Sequence, residues 1–169
     1  RFFKRAFDII FSFLAIVITL PLMLFIACLI KLTSPGKAIY RQTRLTAKNR
    51  QFNVLKFRTM HEGSEDNTGP ILSEVNDSRI TRVGRVLRNS RLDELPQLFN
   101  VLRGDMSFVG PRPERPFFVE QFSKEIPEYS HRYLVKAGIT GYAQIHGKYD
   151  TSPVDKLKYD LIYIKDYNL

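Results

Sequence analysis

With 169 residues and a single cysteine, Cys28, the chain has room for one globular domain plus a membrane element but not for two sizeable cores. An internal disulfide and a multi-cysteine metal site are both excluded. Its 26 basic residues against 17 acidic ones give a net charge of +9, which favours anionic partners: nucleic acid, a phosphorylated substrate or an acidic lipid surface.

Ile9 to Ile30 is nearly all apolar, interrupted only by Ser12, Thr19 and Pro21. As a straight helix this run would cover roughly 30 Å, enough to span a bilayer. It is too long for a secretory signal, and no small-residue cleavage site follows it. Both flanks are basic, with Arg1, Lys4 and Arg5 before the run and Lys31, Lys37, Arg41 and Arg44 after it. The positive-inside tendency then puts both ends in the cytoplasm. Pro21 removes a backbone donor and pushes Leu20 away from helical geometry. The expectation is a reentrant helix-break-helix over residues 1–32, with Thr19 a candidate partner for the freed backbone groups. A kinked single span is the competing reading.

Residues 33–169 read as a separate domain on the cytoplasmic side. Ser34-Pro35-Gly36 marks a turn away from the membrane. Ala38 to Gln42 and Gln51 to Arg58 read as short strands joined by the basic loop Thr46 to Arg50, a β-hairpin. His61 to Ser78, rich in Gly, Ser, Asn, Asp and Glu, reads as a mobile loop of lid length. Val83 to Leu102 looks helical and broken near Asn89-Ser90, with Ser90 capping a second helix that carries Asp93 and Glu94 in its first turn. Arg103 to Pro116 reads as a loop; Phe117 to Ile126 and Pro153 to Tyr167 have helical patterns. The fold class is therefore α+β: a mostly helical small domain with a short β-hairpin, attached to the N-terminal membrane element. The chain opens on Arg1 and stops at Asn168-Leu169 straight after a helical segment, which points to a piece of a longer protein.

The chemistry concentrates at Asp93-Glu94. Arginine recurs every third position before it, at Arg79, Arg82, Arg85, Arg88 and Arg91. Such spacing drifts by about 60° per step on a helix, so the five cannot line one face. Arg88 and Arg91, nearest the acids, are the substrate candidates. Two carboxylates amid this much positive charge suit a metal ion, a phosphate, or both. Arg112, held between Pro111 and Pro113, presents a stiffened guanidinium suited to a diphosphate. Lys56 and Arg58 alternate in phase along a strand, so both heads can face one anion. His61, His131 and His146 show no metal-ligand spacing, and Gly138, Gly141 and Gly147 form neither a dinucleotide fingerprint nor a phosphate loop.

The stretch LDELPQLFNVLRGDMSFVGPRP, residues 92–113, closely resembles the bacterial sugar transferase family, the monotopic phosphoglycosyl transferases. KRAFD, the Thr33-Ser34-Pro35-Gly36 turn, YRQTRL, KFRTM and KAGITGYAQIHGKY follow in the family's order and extend the likeness over nearly the whole chain. Small members often carry Ser directly before the proline, where this chain has Leu20. The resemblance implies transfer of a sugar-1-phosphate from a UDP-sugar to polyprenyl (undecaprenyl) phosphate at the cytoplasmic face of the bacterial inner membrane. It also implies UMP release and a phosphosugar-aspartate intermediate. On that basis Asp93 is assigned as the nucleophile, and Glu94 as a Mg²⁺ ligand or proton acceptor, with both acids near the metal and Asp105 a weaker ligand. Gln144, in the Tyr142-Ala143-Gln144 segment, is a uridine or sugar contact on the same reading. PRPERPFF resembles longer members and implies hexose-1-phosphate transfer, glucose or galactose favoured, at the start of exopolysaccharide or capsule assembly.

A different class of reading is a non-enzymatic, membrane-tethered binder of nucleic acid or anionic lipid. The chain lacks the interleaved aromatic and basic platform and the recognition-helix signature of a nucleic-acid module, so no nucleic-acid partner is expected. Self-association into a homo-oligomer stays open. A polyprenyl phosphate keeps its tail in the bilayer. Asp93 and Arg112 are therefore expected on one rim near the point where the chain leaves the membrane, with the apolar hairpin packed beneath.

Overall fold

The structure, a computed structural model, describes residues 2–65, 69, 71, 77–147 and 151–167. The apolar run forms helix α1, Phe2–Thr33, and its buried residues Asp8, Ser12, Ile16, Met23, Ile26 and Ile30 recur at helical spacing on one stripe. The rest of its surface is apolar and exposed, including Phe11, Phe13, Ile18, Leu24 and Phe25. Helical backbone continues through Pro21, so the expected break is not an interruption of the helix. A proline removes one backbone bond and crowds the preceding turn, and hydrogen bonding resumes on either side. Thr19 does use its hydroxyl locally, donating to the carbonyl of Ala15 at 2.7 Å.

Both ends of α1 are fastened to the same domain. Near its start Arg5 donates to the carbonyls of Val101 (2.7 Å) and Leu102 (2.8 Å), which lie in the last turn of α3, Gln97–Arg103. Carbonyls in the last turn of a helix lack their usual amide partner four residues on, and that of Val101 also accepts from the Gly104 amide at 3.0 Å. Asp8 accepts from the Ser107 hydroxyl at 3.0 Å and the Phe108 amide at 3.1 Å. Near its end Met23, Ile26 and Ile30 pack with Phe57 and Leu87.

The expected hairpin is present as β1, Ile39–Thr46, and β2, Arg50–Phe57, paired antiparallel from Ile39↔Phe57 to Thr46↔Arg50. Phe52 and Val54, two residues apart on one face of β2, pack against Val101 and Met106. Asn100 on α3, wholly buried, receives the Leu55 amide on its Oδ1 (2.9 Å) and donates its Nδ2 to the Asn53 carbonyl (2.9 Å). Its side-chain amide thus extends the hydrogen bonding of β2 into α3.

Two expected local structures differ. Helix α2 spans Arg82–Asn89, and Ser90 closes it, donating its hydroxyl to the carbonyls of Val86 and Leu87 instead of capping a following helix. Arg91 then takes a left-handed conformation, φ 59°, at a cost of roughly 1 kcal/mol for a residue with a side chain. Asp93 and Glu94 fall in a single 3₁₀ turn, Leu92–Glu94, ahead of α3. The span expected as the loop Arg103 to Pro116 contains a short strand, β3, Ser107–Val109, paired in parallel with β4, Gly138–Thr140. Gly110 and Gly138 permit that approach: a Cβ on Gly138 would lie 2.2 Å from the Gly110 nitrogen.

Helices α4 (Pro116–Glu125) and α6 (Pro153–Asp166) follow the expected helical stretches, whereas a 3₁₀ segment (Pro127–Leu134) and the short α5 (Tyr142–His146) were not anticipated. Leu45, Val119, Tyr129, Tyr133 and Leu157 form the core there. Arg132 and Asp160 make an ion pair inside it at 2.7 Å, each side chain 1% exposed. Arg132 also donates to the Tyr129 hydroxyl and to the backbone carbonyl of Arg112 (3.1 Å).

Breaking one partner of this pair leaves a buried charge uncompensated. Asp160→Asn should therefore lower stability by about 3–5 kcal/mol, read as an earlier urea midpoint in detergent micelles. The double variant Arg132→Met/Asp160→Leu should recover part of that loss.

Candidate active site

The chain reaches the acidic turn from two directions. Lys56 continues the Phe52–Val54 face of β2 beyond the apolar core, and its ammonium meets Glu94 Oε1 at 3.0 Å. Arg112, from the Gly110-Pro111-Arg112-Pro113 turn, donates to the same oxygen at 2.8 Å. Glu94 thus bridges the hairpin and the proline-flanked turn, and both acids are nearly buried, Asp93 at 7% and Glu94 at 9% exposure.

The two carboxylates have opposite electrostatics. Burial pushes Glu94 up, but the adjacent Arg112 and Lys56 charges outweigh it and hold the carboxyl down at about 2. For Asp93, burial dominates and, helped by the Glu94 charge, raises the carboxyl above its ordinary value; Lys56, Arg88 and Arg112 pull against that rise. Among the described residues no side chain hydrogen-bonds or ion-pairs with the Asp93 carboxylate. Burial and the nearby Arg112 charge push the Lys56 ammonium down, while Glu94 favours its charged form.

Asp93 and Glu94 face a cleft of about 1260 Å³ that is also lined by Lys56, Arg58, Arg88, Arg91 and Arg112. The structure therefore brings together Asp93, Glu94, Lys56, Arg58, Arg88, Arg91 and Arg112, and leaves out Gln144 and Asp105. Gln144 lies on α5 and donates its side-chain amide to the Ile139 carbonyl at 3.1 Å, away from this lining. Asp105 is elsewhere as well, paired with Arg50 at 3.0 Å and Arg103 at 3.7 Å. Within the cleft Arg88 donates to the Thr59 hydroxyl at 2.9 Å, and Arg91 is exposed.

Arg58 does not share an anion site with Lys56. Its guanidinium donates to the Ser34 carbonyl (2.9 Å), the Ser34 hydroxyl (2.7 Å) and the Pro35 carbonyl, clamping the turn that follows α1. Gly36 in that turn has φ +103°, and a Cβ there would sit 2.1 Å from the Arg58 Nη1. Two further pairs were not anticipated. Arg115 grips Glu65 with both arms at 2.9 Å, and Arg44 meets Glu114 at 3.4 Å. The alternation of proline and charge in PRPER was the available signal, but the partners lie about 50 and 70 positions away in the chain. Of the expected lid, His61 to Glu65 line the cleft, whereas residues 66–68, 70 and 72–76 lie outside the described residues.

No group of three or more His, Cys, Asp or Glu is placed to hold a metal among the described residues. The two acids do fit Mg²⁺, which takes one or two carboxylates and fills its remaining positions with waters and substrate phosphates. Glu94 keeps its second oxygen, and Asp93 both of its own, clear of hydrogen bonds from the described residues.

The family model for bacterial sugar transferases matches residues 1–169. Among similar proteins, a UDP-N-acetylgalactosamine-undecaprenyl-phosphate N-acetylgalactosaminephosphotransferase of Aeromonas hydrophila is 47% identical over 99% of the chain and 40% of its own length. A UDP-glucose:undecaprenyl-phosphate glucose-1-phosphate transferase of Caulobacter vibrioides is 44% identical over 98% of the chain and 64% of its own. An exopolysaccharide production protein of Rhizobium leguminosarum is 39% identical over 98% and 87% respectively. The chain thus spans less than two thirds of the first two relatives and most of the third. With its whole length matched and the LDELPQLFNVLRGDMSFVGPRP segment forming the acidic centre of the cleft, the chain belongs to the bacterial sugar transferase family.

Proposed function

We propose that the protein transfers a sugar-1-phosphate from a UDP-sugar to undecaprenyl phosphate, releasing UMP, through a phosphosugar intermediate on Asp93. The observation that carries this reading is the contrast between the adjacent acids: Glu94 is neutralised by two cations, while Asp93 is nearly buried, borders the cleft and takes no hydrogen bond from the described residues. A carboxylate attacks phosphorus well when nearby cations offset the charge of the approaching phosphate.

In the first step an Asp93 oxygen bonds to the sugar-linked phosphorus, and the bond from that phosphorus to the bridging oxygen breaks. The electron pair leaves with UMP. In the second, a phosphate oxygen of undecaprenyl phosphate attacks the same phosphorus and frees the Asp93 carboxylate. A phosphate monoester is largely dianionic at neutral pH, its second pKa being about 6, so the acceptor needs little help losing a proton. A carboxylate held near 2 is a poor base, so Glu94 serves to orient Lys56 and Arg112 and to offer its second oxygen to a cation. Mg²⁺ held by Asp93 and Glu94 would neutralise charge on the donor's diphosphate and on the departing UMP.

A membrane-borne acceptor also accounts for α1, which is long and apolar enough to cross a membrane. Its stripe from Asp8 to Ile30 lies against the domain, its two ends are fastened to that domain, and its remaining surface is apolar. That arrangement supports a helix that dips into one leaflet of the inner membrane with both ends cytoplasmic. The names of the Aeromonas and Caulobacter relatives specify different sugars, N-acetylgalactosamine and glucose, and both belong in a donor panel with galactose. The name of the Rhizobium relative supports a place in exopolysaccharide assembly.

Asp93→Asn removes the attacking charge while keeping the volume. It should abolish UMP release from UDP-sugars, and with it the exchange of labelled UMP into the donor; retained exchange would move the covalent role elsewhere. The ionised Asp93 is the active form and its carboxyl is raised, so the acid limb of kcat/KM should lie above the ordinary carboxylate value. Lys56→Met removes the largest charge opposing that rise and should move the limb to higher pH still. An unmoved limb would separate Asp93 from the rate-controlling ionisation. In a Cys28→Ser background, Phe3→Cys and Lys37→Cys should both be labelled only from the cytoplasmic side of sealed vesicles. Labelling on opposite sides would establish a single span.

A further inference from the structure

The cations of the cleft divide into two groups. Lys56 and Arg112 are tied to Glu94, Arg44 to Glu114, Arg115 to Glu65, and Arg58 to the Ser34-Pro35 turn. Arg85 and Arg91, on and just after α2, line the same cleft without a side-chain hydrogen bond or carboxylate partner among the described residues, and so do Lys31, Lys37 and Arg41. These last three lie on the short stretch that joins the last turn of α1 to the start of β1. Glu62, whose carboxylate lies beside Gly36, is not within ion-pair reach of any of them.

Their position is fixed by neighbours that do no binding themselves. Ile30, 2% exposed, anchors the last turn of α1 next to Lys31. The Arg58 clamp holds Ser34 and Pro35, and the left-handed Gly36 turns the chain so that Lys37 follows at the cleft. Lys31 is stabilised by the negative end of its helix, but Lys37 and Arg41 have no such compensation. Cations that line one cleft with no carboxylate paired to them favour an anion that joins them. They also sit where the apolar surface of α1 ends, just past the exposed Leu24 and Phe25. A lipid tail lying against that surface would bring its phosphate to this level.

We propose that Lys31, Lys37 and Arg41 form a reception subsite for the phosphate of the lipid-borne acceptor, separate from the Lys56–Arg112 pair at the acids. The proposal rests on the reading of the cleft as a sugar-1-phosphate transferase site. The ligand chemistry is a phosphate monoester on a lipid tail. A phospholipid headgroup offers a related charge, so the test must separate the two.

The test measures UMP release by the full chain in neutral detergent micelles, varying undecaprenyl phosphate at saturating donor and then the donor at saturating acceptor. For Lys31→Gln/Lys37→Gln the acceptor KM should rise about tenfold, while the donor KM stays within about twofold and so reports an intact fold. Lys31→Arg/Lys37→Arg should restore the acceptor KM, and Lys124→Gln, on the exposed face of α4, should leave it unchanged. An unchanged acceptor KM in the glutamine variant, or an equal rise in both KM values, would overturn the subsite. So would an effect confined to vesicles containing phosphatidylglycerol, which would assign the lysines to bulk lipid. A wild-type protein that releases no UMP from any UDP-sugar with undecaprenyl phosphate overturns the transferase reading itself, and the subsite with it.

Discussion

One carboxylate oxygen, Glu94 Oε1, holds the centre of the molecule together. It takes Lys56 from the hairpin at 3.0 Å and Arg112 from the proline-flanked turn at 2.8 Å, with Glu94 itself on the turn between α2 and α3. Each of the three charges would be poorly tolerated alone at this depth; together they satisfy one another. The backbone of Arg112 is held in turn by Arg132, whose charge is balanced by Asp160 in the core around Tyr129 and Leu157. A continuous chain of charge-assisted bonds therefore runs from the α4–α6 region to the acidic turn. The geometry at Asp93 depends on residues that never approach the cleft.

The second constraint is the helix α1, too apolar to leave in water and too firmly held to leave the domain. Arg5 donates to the last carbonyls of α3, Asp8 receives a strand amide and a hydroxyl, and Ile26 and Ile30 enter the core around Phe57. A charged residue buried at the start of an apolar helix is costly unless its bonds are met, and here two donors meet Asp8. Because the same helix offers its uncovered side to lipid on the proposed reading, the clamps also set how far the acidic turn stands from the bilayer. Arg58, bonded to the turn after α1 and adjacent in sequence to the strand bearing Lys56, couples the two distances.

Much of this was legible in the chain. The hairpin, the helices after Pro116 and Pro153, and the association of the acids with Lys56, Arg88, Arg91 and Arg112 all followed from local pattern and from family wording. What escaped was long-range or too short to have a period. Three-residue strands such as β3 and β4 carry no alternation to read, and their pairing rests on glycines whose meaning appears only when two backbones meet. Arg58 looked equivalent to Lys56 because strand phase predicts direction and not partner; the carbonyls that capture it come from a turn 24 positions earlier. Asn100, Arg132 and Asp160 are polar residues in helical stretches, where sequence alone suggests a solvated face. Ser90 fitted a helix start but closed a helix end, since a hydroxyl can serve either terminus.

The difference between Asp93 and Glu94 follows from backbone geometry as much as from neighbours. Adjacent side chains on a tight 3₁₀ turn diverge by about 120°, so two acids one residue apart cannot reach the same cations. Glu94, with one more methylene, reaches between Lys56 and Arg112 and is held ionised. Asp93 feels the same two charges from farther away, without bonding to either, and burial prevails. Left-handed Arg91 sets the approach of this turn, so a locally unfavourable backbone choice decides which acid faces which environment. A longer α-helix through this segment would have swung the acids about 100° apart over a shallower surface. The short turn instead buries both side chains, leaving one acid neutralised and the other without a side-chain partner among the described residues at the edge of the cleft.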